Sequence, residues 1–214
     1  MQIPIPKESS CTDPLWQSQF IDLANDLVRV RTKAKIIEYF TGLPHRFVCK
    51  LYKALLGEIP PSGPVHQGTP KFFAQNRDYG ANWNLQCAIF LNAYSRLGKL
   101  VGSDVNRGWL LLKSYHAYLQ CTEILYLKKN IRRLDINNCY SLLVWSGYVR
   151  HRDHADLHMV ECKMCGSPYM VVADEEPEGQ PCPVCSMDAA SKKQQKANGI
   201  FTLNSNPLEA NSKG

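Results

Sequence analysis

Apolar residues recur through the first three quarters of the chain at helical rather than strand spacing. Leu15, Trp16, Phe20, Leu23, Ala24, Leu27 and Val28 line one face and predict an amphipathic helix over 14–30. Asp13-Pro14 supplies its start, because aspartate accepts from first-turn amides and proline is tolerated there. Ile36, Ile37 and Phe40 form the apolar face of a second helix. Phe47, Val48, Leu51, Leu55 and Leu56 form that of a third, which Gly57 ends. Between them Thr41-Gly42-Leu43-Pro44 interrupts the pattern, and Gly42 is free to take the positive φ of a tight turn. Asn84–Lys99 is apolar on most sides and predicts a buried helix, after a start signal at Thr69-Pro70. Further helices are predicted over 104–119, ending near Cys121-Thr122, and over 135–145, ending at Ser146-Gly147.

From Asp156 the texture changes. LHMVECKMCGSPYMVVAD sets β-branched residues and an aromatic on either side of a cysteine pair, a hairpin pattern. The final stretch is polar, rich in Asn, Ser, Lys and Gln, and aperiodic, which predicts disorder. GEIPPSGPVHQGTP (57–70) reads as a rigid connector. The expected fold is mainly α, in four parts. These are a flexible arm (1–13), a helical domain with a helix-turn-helix-like element (14–156), a small four-cysteine, zinc-ribbon-like β lobe (157–188) and a disordered tail (189–214).

Composition adds limits. With 44% hydrophobic and 21% charged residues among 214, the chain can bury a core. It holds no apolar run of membrane-spanning length, and its first residues lack the apolar core of a secretory signal, so a cytoplasmic protein is expected. The net charge of +6 is uneven: residues 1–160 carry +8 and residues 161–214 carry −2. Seven basic residues crowd Arg29–Lys53 against a single acid, Glu38, and Lys128/Lys129 with Arg132/Arg133 make a second basic spot. Such concentration points to a polyanion, nucleic acid above all, although a solvated helix face has the same composition.

Two short helices around a glycine-containing turn make a helix-turn-helix pattern, with Leu43, Val48 and Leu51 at the packing positions. An ordinary helical hairpin would look similar. Glu38 departs from the motif, standing four residues before the glycine where a small side chain is usual. In the DNA-binding reading the helix from His45 presents His45, Arg46, Lys50 and Lys53. Lys33, Lys35, Lys128, Lys129, Arg132 and Arg133 then neutralise flanking phosphates.

Four of the nine cysteines form two C-x-x-C pairs, Cys162/Cys165 and Cys182/Cys185, with sixteen residues between. This spacing brings four thiolates to one point, as tetrahedral zinc requires, and Gly166 relieves the turn after the first pair. An iron–sulfur cluster is the alternative. One zinc ion per chain, closed in by four thiolates, has no open position for water, so its expected role is folding rather than chemistry. Pro181-Cys182-x-x-Cys185 matches half of the zinc-deaminase signature, but the H-x-E half is missing. His151, His154 and His158 read as surface or packing residues. The remaining cysteines, Cys11, Cys49, Cys87, Cys121 and Cys139, sit in apolar contexts and are expected to be buried and unreactive. No phosphate loop, dinucleotide fingerprint or nucleophile elbow occurs, so no enzyme is expected.

Taken together, RFVCKLYKALLGEIPPSGPVHQGTPKFF (Arg46–Phe73), NLQCAIFLNAY (Asn84–Tyr94) and the two C-x-x-C pairs resemble the FlhC family, C subunits of the bacterial flagellar master activator. The resemblance implies a DNA-binding transcriptional activator without enzymatic activity, acting with FlhD in a heterohexamer of two C and four D subunits. It further implies binding upstream of flagellar operons and recruitment of RNA polymerase. The family's zinc ligands map onto Cys162, Cys165, Cys182 and Cys185. An adaptor that binds only protein, with the same zinc site, is the alternative.

Overall fold

The computed structural model describes residues 14–66, 68–75, 81–102, 105–128, 132–149, 155–173 and 182–189. The expected arm (1–13) and nearly all of the expected tail lie outside them, as do Cys11, Lys129, His151 and His154. The described residues include helices α1 (Pro14–Arg29), α2 (Ala34–Thr41), α3 (His45–Leu56), α4 (Pro70–Ala74), α5 (Ala81–Val101), α6 (Arg107–Lys128) and α7 (Ile136–Trp145). Strands β1 (Leu157–Glu161) and β2 (Pro168–Val172) follow. The mainly α fold expected from the periodicity is what forms.

Local chemistry sets several of these boundaries. The Thr69 hydroxyl accepts from the Phe72 amide, and Asp135 accepts from Asn138 at 2.7 Å, so both helices start on a side-chain cap. Gly42 adopts φ +68° and ends α2, with its amide on the Glu38 carbonyl at 2.8 Å. Two boundaries differ from expectation at α6. It begins at Arg107, where the Asn106 side chain accepts from the Gly108 amide at 2.7 Å. It also continues past Cys121-Thr122 to Lys128, because the Thr122 hydroxyl donates to the Tyr118 carbonyl at 2.8 Å and so satisfies itself within the helix.

The core begins where α1, α2 and α3 meet. Leu23, Ala24, Leu27, Val28, Ile36, Ile37, Val48 and Tyr52 are fully buried there. The buried stripe of α3 runs through Val48 and Tyr52, with Leu51 and Leu56 packed at its edge. Phe47 and Leu55 were expected on this face. They point outward instead, 36% and 39% exposed, because Tyr52 takes the inner position and its hydroxyl donates to the Thr32 carbonyl. Helix α6 crosses α1 and α2 at Gly108, where an added Cβ would stand 2.8 Å from Phe40 Cβ and 2.9 Å from Leu23 Cδ2.

β1 and β2 pair antiparallel, with Leu157 opposite Val172 and Glu161 opposite Pro168. The hairpin packs against α4 and α5, and Leu157 and Met170 belong to the same hydrophobic cluster as the helices. Asn84 of α5 fastens it there. Its amide donates to the Met170 carbonyl at 2.8 Å and its oxygen accepts from the Met170 amide at 2.8 Å. The expected boundary at 156/157 therefore crosses a continuous core.

Candidate nucleic-acid interface and metal centre

A three-residue turn, 42–44, separates α2 from α3, and Thr41 supports it by accepting from the Leu43 amide at 3.2 Å. With Val48 and Tyr52 facing inward, α3 turns His45, Arg46, Lys50 and Lys53 to the solvent. Arg46, Lys50 and Lys53 lie at i, i+4 and i+7 and share one face. Lys35 on α2 is also exposed. Glu38, the residue at odds with the motif, holds the start of α3: its carboxylate meets His45 Nδ1 at 2.5 Å. The glutamate thus ties α2 to the first residue of α3.

Lys33 behaves differently from its neighbours. Expected at the surface for phosphate contact, it is only 4% exposed, and its Nζ donates to the Pro64 carbonyl at 2.5 Å. Burial lowers its pKa, opposed by the attraction of Asp135. Its backbone amide donates to Asn137 Oδ1 at 2.8 Å. Lys33 is a packing residue that closes the 57–65 connector over the hairpin. No sequence signal separates it from Lys35, since both stand in the same basic run.

In the second basic spot, Arg132 and Arg133 are exposed and Lys128 is the last residue of α6. Their backbone is anchored from within. Gln86 Nε2 donates to the Arg132 carbonyl at 3.1 Å, and the Tyr118 hydroxyl accepts from the Leu134 amide at 3.0 Å while donating to Gln86 Oε1 at 2.5 Å. The anchoring role of Gln86 and Tyr118 is not legible in the sequence, because polar residues in an apolar helix carry no sign of their distant partners.

The four cysteines of the C-x-x-C pairs converge as expected, with all four sulfurs within 4.8 Å of one another. Cys162 Sγ stands 3.9 Å from Cys185 Sγ, and Cys165 Sγ stands 3.4 Å from Cys182 Sγ. A tetrahedron with metal–sulfur bonds of about 2.3 Å has edges of about 3.8 Å, so this donor set fits a metal ion. Each pair is a knuckle. The Met164 amide donates to Cys162 Sγ and the Cys185 amide to Cys182 Sγ, both at 3.4 Å. Gly166, at φ +70°, turns the chain and donates to the Cys162 carbonyl at 2.8 Å. The second knuckle continues directly into a helical segment over 183–189, which extends one residue past the expected lobe.

Electrostatics divide the four thiols. Backbone amides of Cys165 and Met164 lower the pKa of Cys162, and hydrogen bonds from Ser167 bring Cys165 down to about 6. Burial raises Cys182, and hydrogen bonding to the Cys182 and Cys165 sulfurs pushes Cys185 up to about 12. Such a cluster favours a cation at its centre, which replaces the thiol protons.

The other cysteines do not share one environment. Cys87 and Cys139 are buried as expected, and burial raises both thiols. Cys121 is exposed and Cys49 half-buried, contrary to expectation, because their helices turn those positions away from the core.

A hairpin of two short helices with a basic outer face is the arrangement of helix-turn-helix gene regulators. Comparison with known proteins agrees: the family model "Flagellar transcriptional activator (FlhC)" matches residues 13–198. The chain belongs to the FlhC family of flagellar transcriptional regulators. It is 25% identical over 185 residues to the "Flagellar transcriptional regulator FlhC" of Variovorax paradoxus (strain S110), covering 86% of this chain and 82% of that protein. Proteins of the same description from Proteus mirabilis and Yersinia enterocolitica are each 26% identical, over 196 and 184 residues. The first alignment covers 91% of this chain and 90% of the relative, the second 84% and 85%. No described helix is long and apolar enough to cross a membrane.

Proposed function

We propose that this protein is the DNA-binding C subunit of a flagellar transcription activator, working with FlhD in a complex of two C and four D chains. The complex binds promoters of flagellar and some non-flagellar operons and recruits RNA polymerase in the cytoplasm. The observation that carries the reading is the outer face of α3, where Arg46, Lys50 and Lys53 stand exposed on a helix fixed by its buried Val48 and Tyr52. Those three with His45 meet the groove, and Lys35, Lys128, Lys129, Arg132 and Arg133 contact flanking phosphates. Lys33 takes no part. The metal is zinc, since four thiolates in tetrahedral reach suit it, and its role is structural.

The test is DNA binding by the chain co-purified with FlhD on a flagellar promoter, by footprinting and titration. Neutralising about six phosphates gives a slope of log K against log[salt] of about −5. Changing Arg46 and Lys50 together to alanine should abolish the footprint. Affinity independent of salt, or a double variant that binds as well as the parent, refutes the reading. A second reading, an adaptor that touches only protein, draws on exposed apolar side chains: Phe47 and Leu55 on α3, and Leu100 and Val101 at the end of α5. It predicts assembly with FlhD and no DNA affinity in any state.

A further inference from the structure

Cys49, which the DNA-binding reading does not use, stands in a constellation with His45 and Glu38. Its Sγ is 3.5 Å from His45 Nε2, and His45 Nδ1 is 2.5 Å from Glu38 Oε1. Glu38 fixes the imidazole so that Nδ1 faces the carboxylate and Nε2 faces the sulfur. In its neutral form such an imidazole holds its proton on Nδ1 and offers Nε2 as an acceptor to the thiol. A nucleophile beside a base that is itself oriented by a third group is the arrangement that activates thiols.

The thiol also has room in front of it. Cys49 and His45 line an open cavity of about 730 Å³ between α3 and the connector 57–65. Lys35, Lys50 and Lys53 line the same cavity. Among the described residues that line it the only acid is Glu58, which is paired with Arg31 at 2.9 Å. A molecule drawn to this space would carry net negative charge.

We propose that Cys49 is a modification site that forms a mixed disulfide with an acidic low-molecular-weight disulfide of the glutathione type. Cys49 Sγ attacks one sulfur of the reagent as its proton passes to His45 Nε2. The reagent's S–S bond breaks, a Cys49–S–S–R bond forms, and the departing thiolate takes the proton. The protein thiol is oxidised, the leaving half of the reagent is reduced, and no further oxidant is needed. On the proposed DNA-binding reading the acidic adduct then lies beside Lys50 and Lys53 and repels the phosphate backbone.

The test uses the full chain co-purified with FlhD and loaded with zinc. Exposed Cys121 serves as an internal reference thiol on the same chain. After exposure to glutathione disulfide, peptide mass mapping should show Cys49 modified roughly 10²-fold faster than Cys121, the lower end of what a positioned base contributes. His45→Gln should remove most of that advantage, and Glu38→Gln part of it. Cystamine, a cationic disulfide, should lose the preference for Cys49. Cys49→Ser should bind DNA as the parent does and become insensitive to glutathione disulfide. Equal rates at Cys49 and Cys121, an unchanged rate in His45→Gln, or a cystamine preference equal to that of glutathione disulfide would each overturn the proposal. The kinetics need no DNA. If Cys49 shows its advantage and no variant binds promoter, it is the DNA-binding reading that has failed.

Discussion

Asn84 and Met170 exchange hydrogen bonds as two strands of a sheet would, although one belongs to helix α5 and the other to β2, 86 residues later. The side-chain amide of Asn84 imitates a peptide group, and its nitrogen also donates to the Ala74 carbonyl at 2.7 Å. A single buried side chain thereby joins α4, α5 and the hairpin. Asn84→Ala leaves buried donors and acceptors without partners and should cost about 2–4 kcal/mol in chemical denaturation. Hydrogen exchange should quicken first at the Met170 amide. Unchanged stability would show that water replaces the side chain.

Zinc removal should act on the knuckles and leave the α1–α3 hairpin intact. Structural zinc contributes an apparent ~10–16 kcal/mol in small peptides, more than a short hairpin gains by burial. Chelation, or Cys162→Ser, should release one metal ion per chain and expose the knuckles, 162–167 and 182–189, to exchange and proteolysis. Helices α1 to α3 should stay protected, because their core contains none of these cysteines. If the variant keeps its metal and its protection, the four-thiolate site is wrong.

Metal affinity should fall as pH falls. Cys165, at about 6, is already largely thiolate near neutrality, whereas Cys185, at about 12, must give up its proton to bind. Because protons compete with the metal for the raised Cys182 and Cys185 thiols, raising pH strengthens binding and uptake releases protons. Calorimetry in buffers of different ionisation heat measures that release. A proton count of zero at neutral pH would contradict the assignment.

Gly108→Ala should destabilise the protein without touching its charged surface. The new methyl would stand 2.8 Å from Phe40 Cβ and 2.9 Å from Leu23 Cδ2, neither at the free end of a long flexible chain. Overpacking of this kind costs about 1–3 kcal/mol, more than the helix gains from alanine over glycine. A thermal melt above that of the parent would refute the close crossing.

On the proposed DNA-binding reading, replacing Arg132 and Arg133 together by alanine should weaken promoter binding about equally on all sequences. Two lost phosphate contacts reduce the salt slope by about 2. A change in sequence preference with an unaltered slope would instead make these residues readers of bases.

Much of this architecture is legible in the sequence because it depends on near neighbours. The α2–turn–α3 hairpin follows from apolar residues at helical spacing and from a glycine that takes φ +68°. The four-cysteine cluster follows from the two C-x-x-C spacings, and the β hairpin from alternating β-branched residues. Two departures arise where neighbouring residues compete for one role. Thr122 has the composition of a helix end, yet its bond to the Tyr118 carbonyl lets α6 run on to Lys128. Phe47 and Leu55 have the spacing of core residues, yet Tyr52 takes the inner position of α3.

Sequence alone therefore determined the elements, the four-thiolate cluster and the family, since helical period and ligand spacing are local properties of the chain. Tertiary structure decided which of the chemically similar residues face water. Lys33 is buried with its amide on Asn137, 104 residues away, while Lys35 is exposed. Cys87 is sealed in the core, while Cys49 opens on a basic cavity beside His45. Burial depends on what packs against a residue, and for these the packing partners come from distant segments that no local pattern announces.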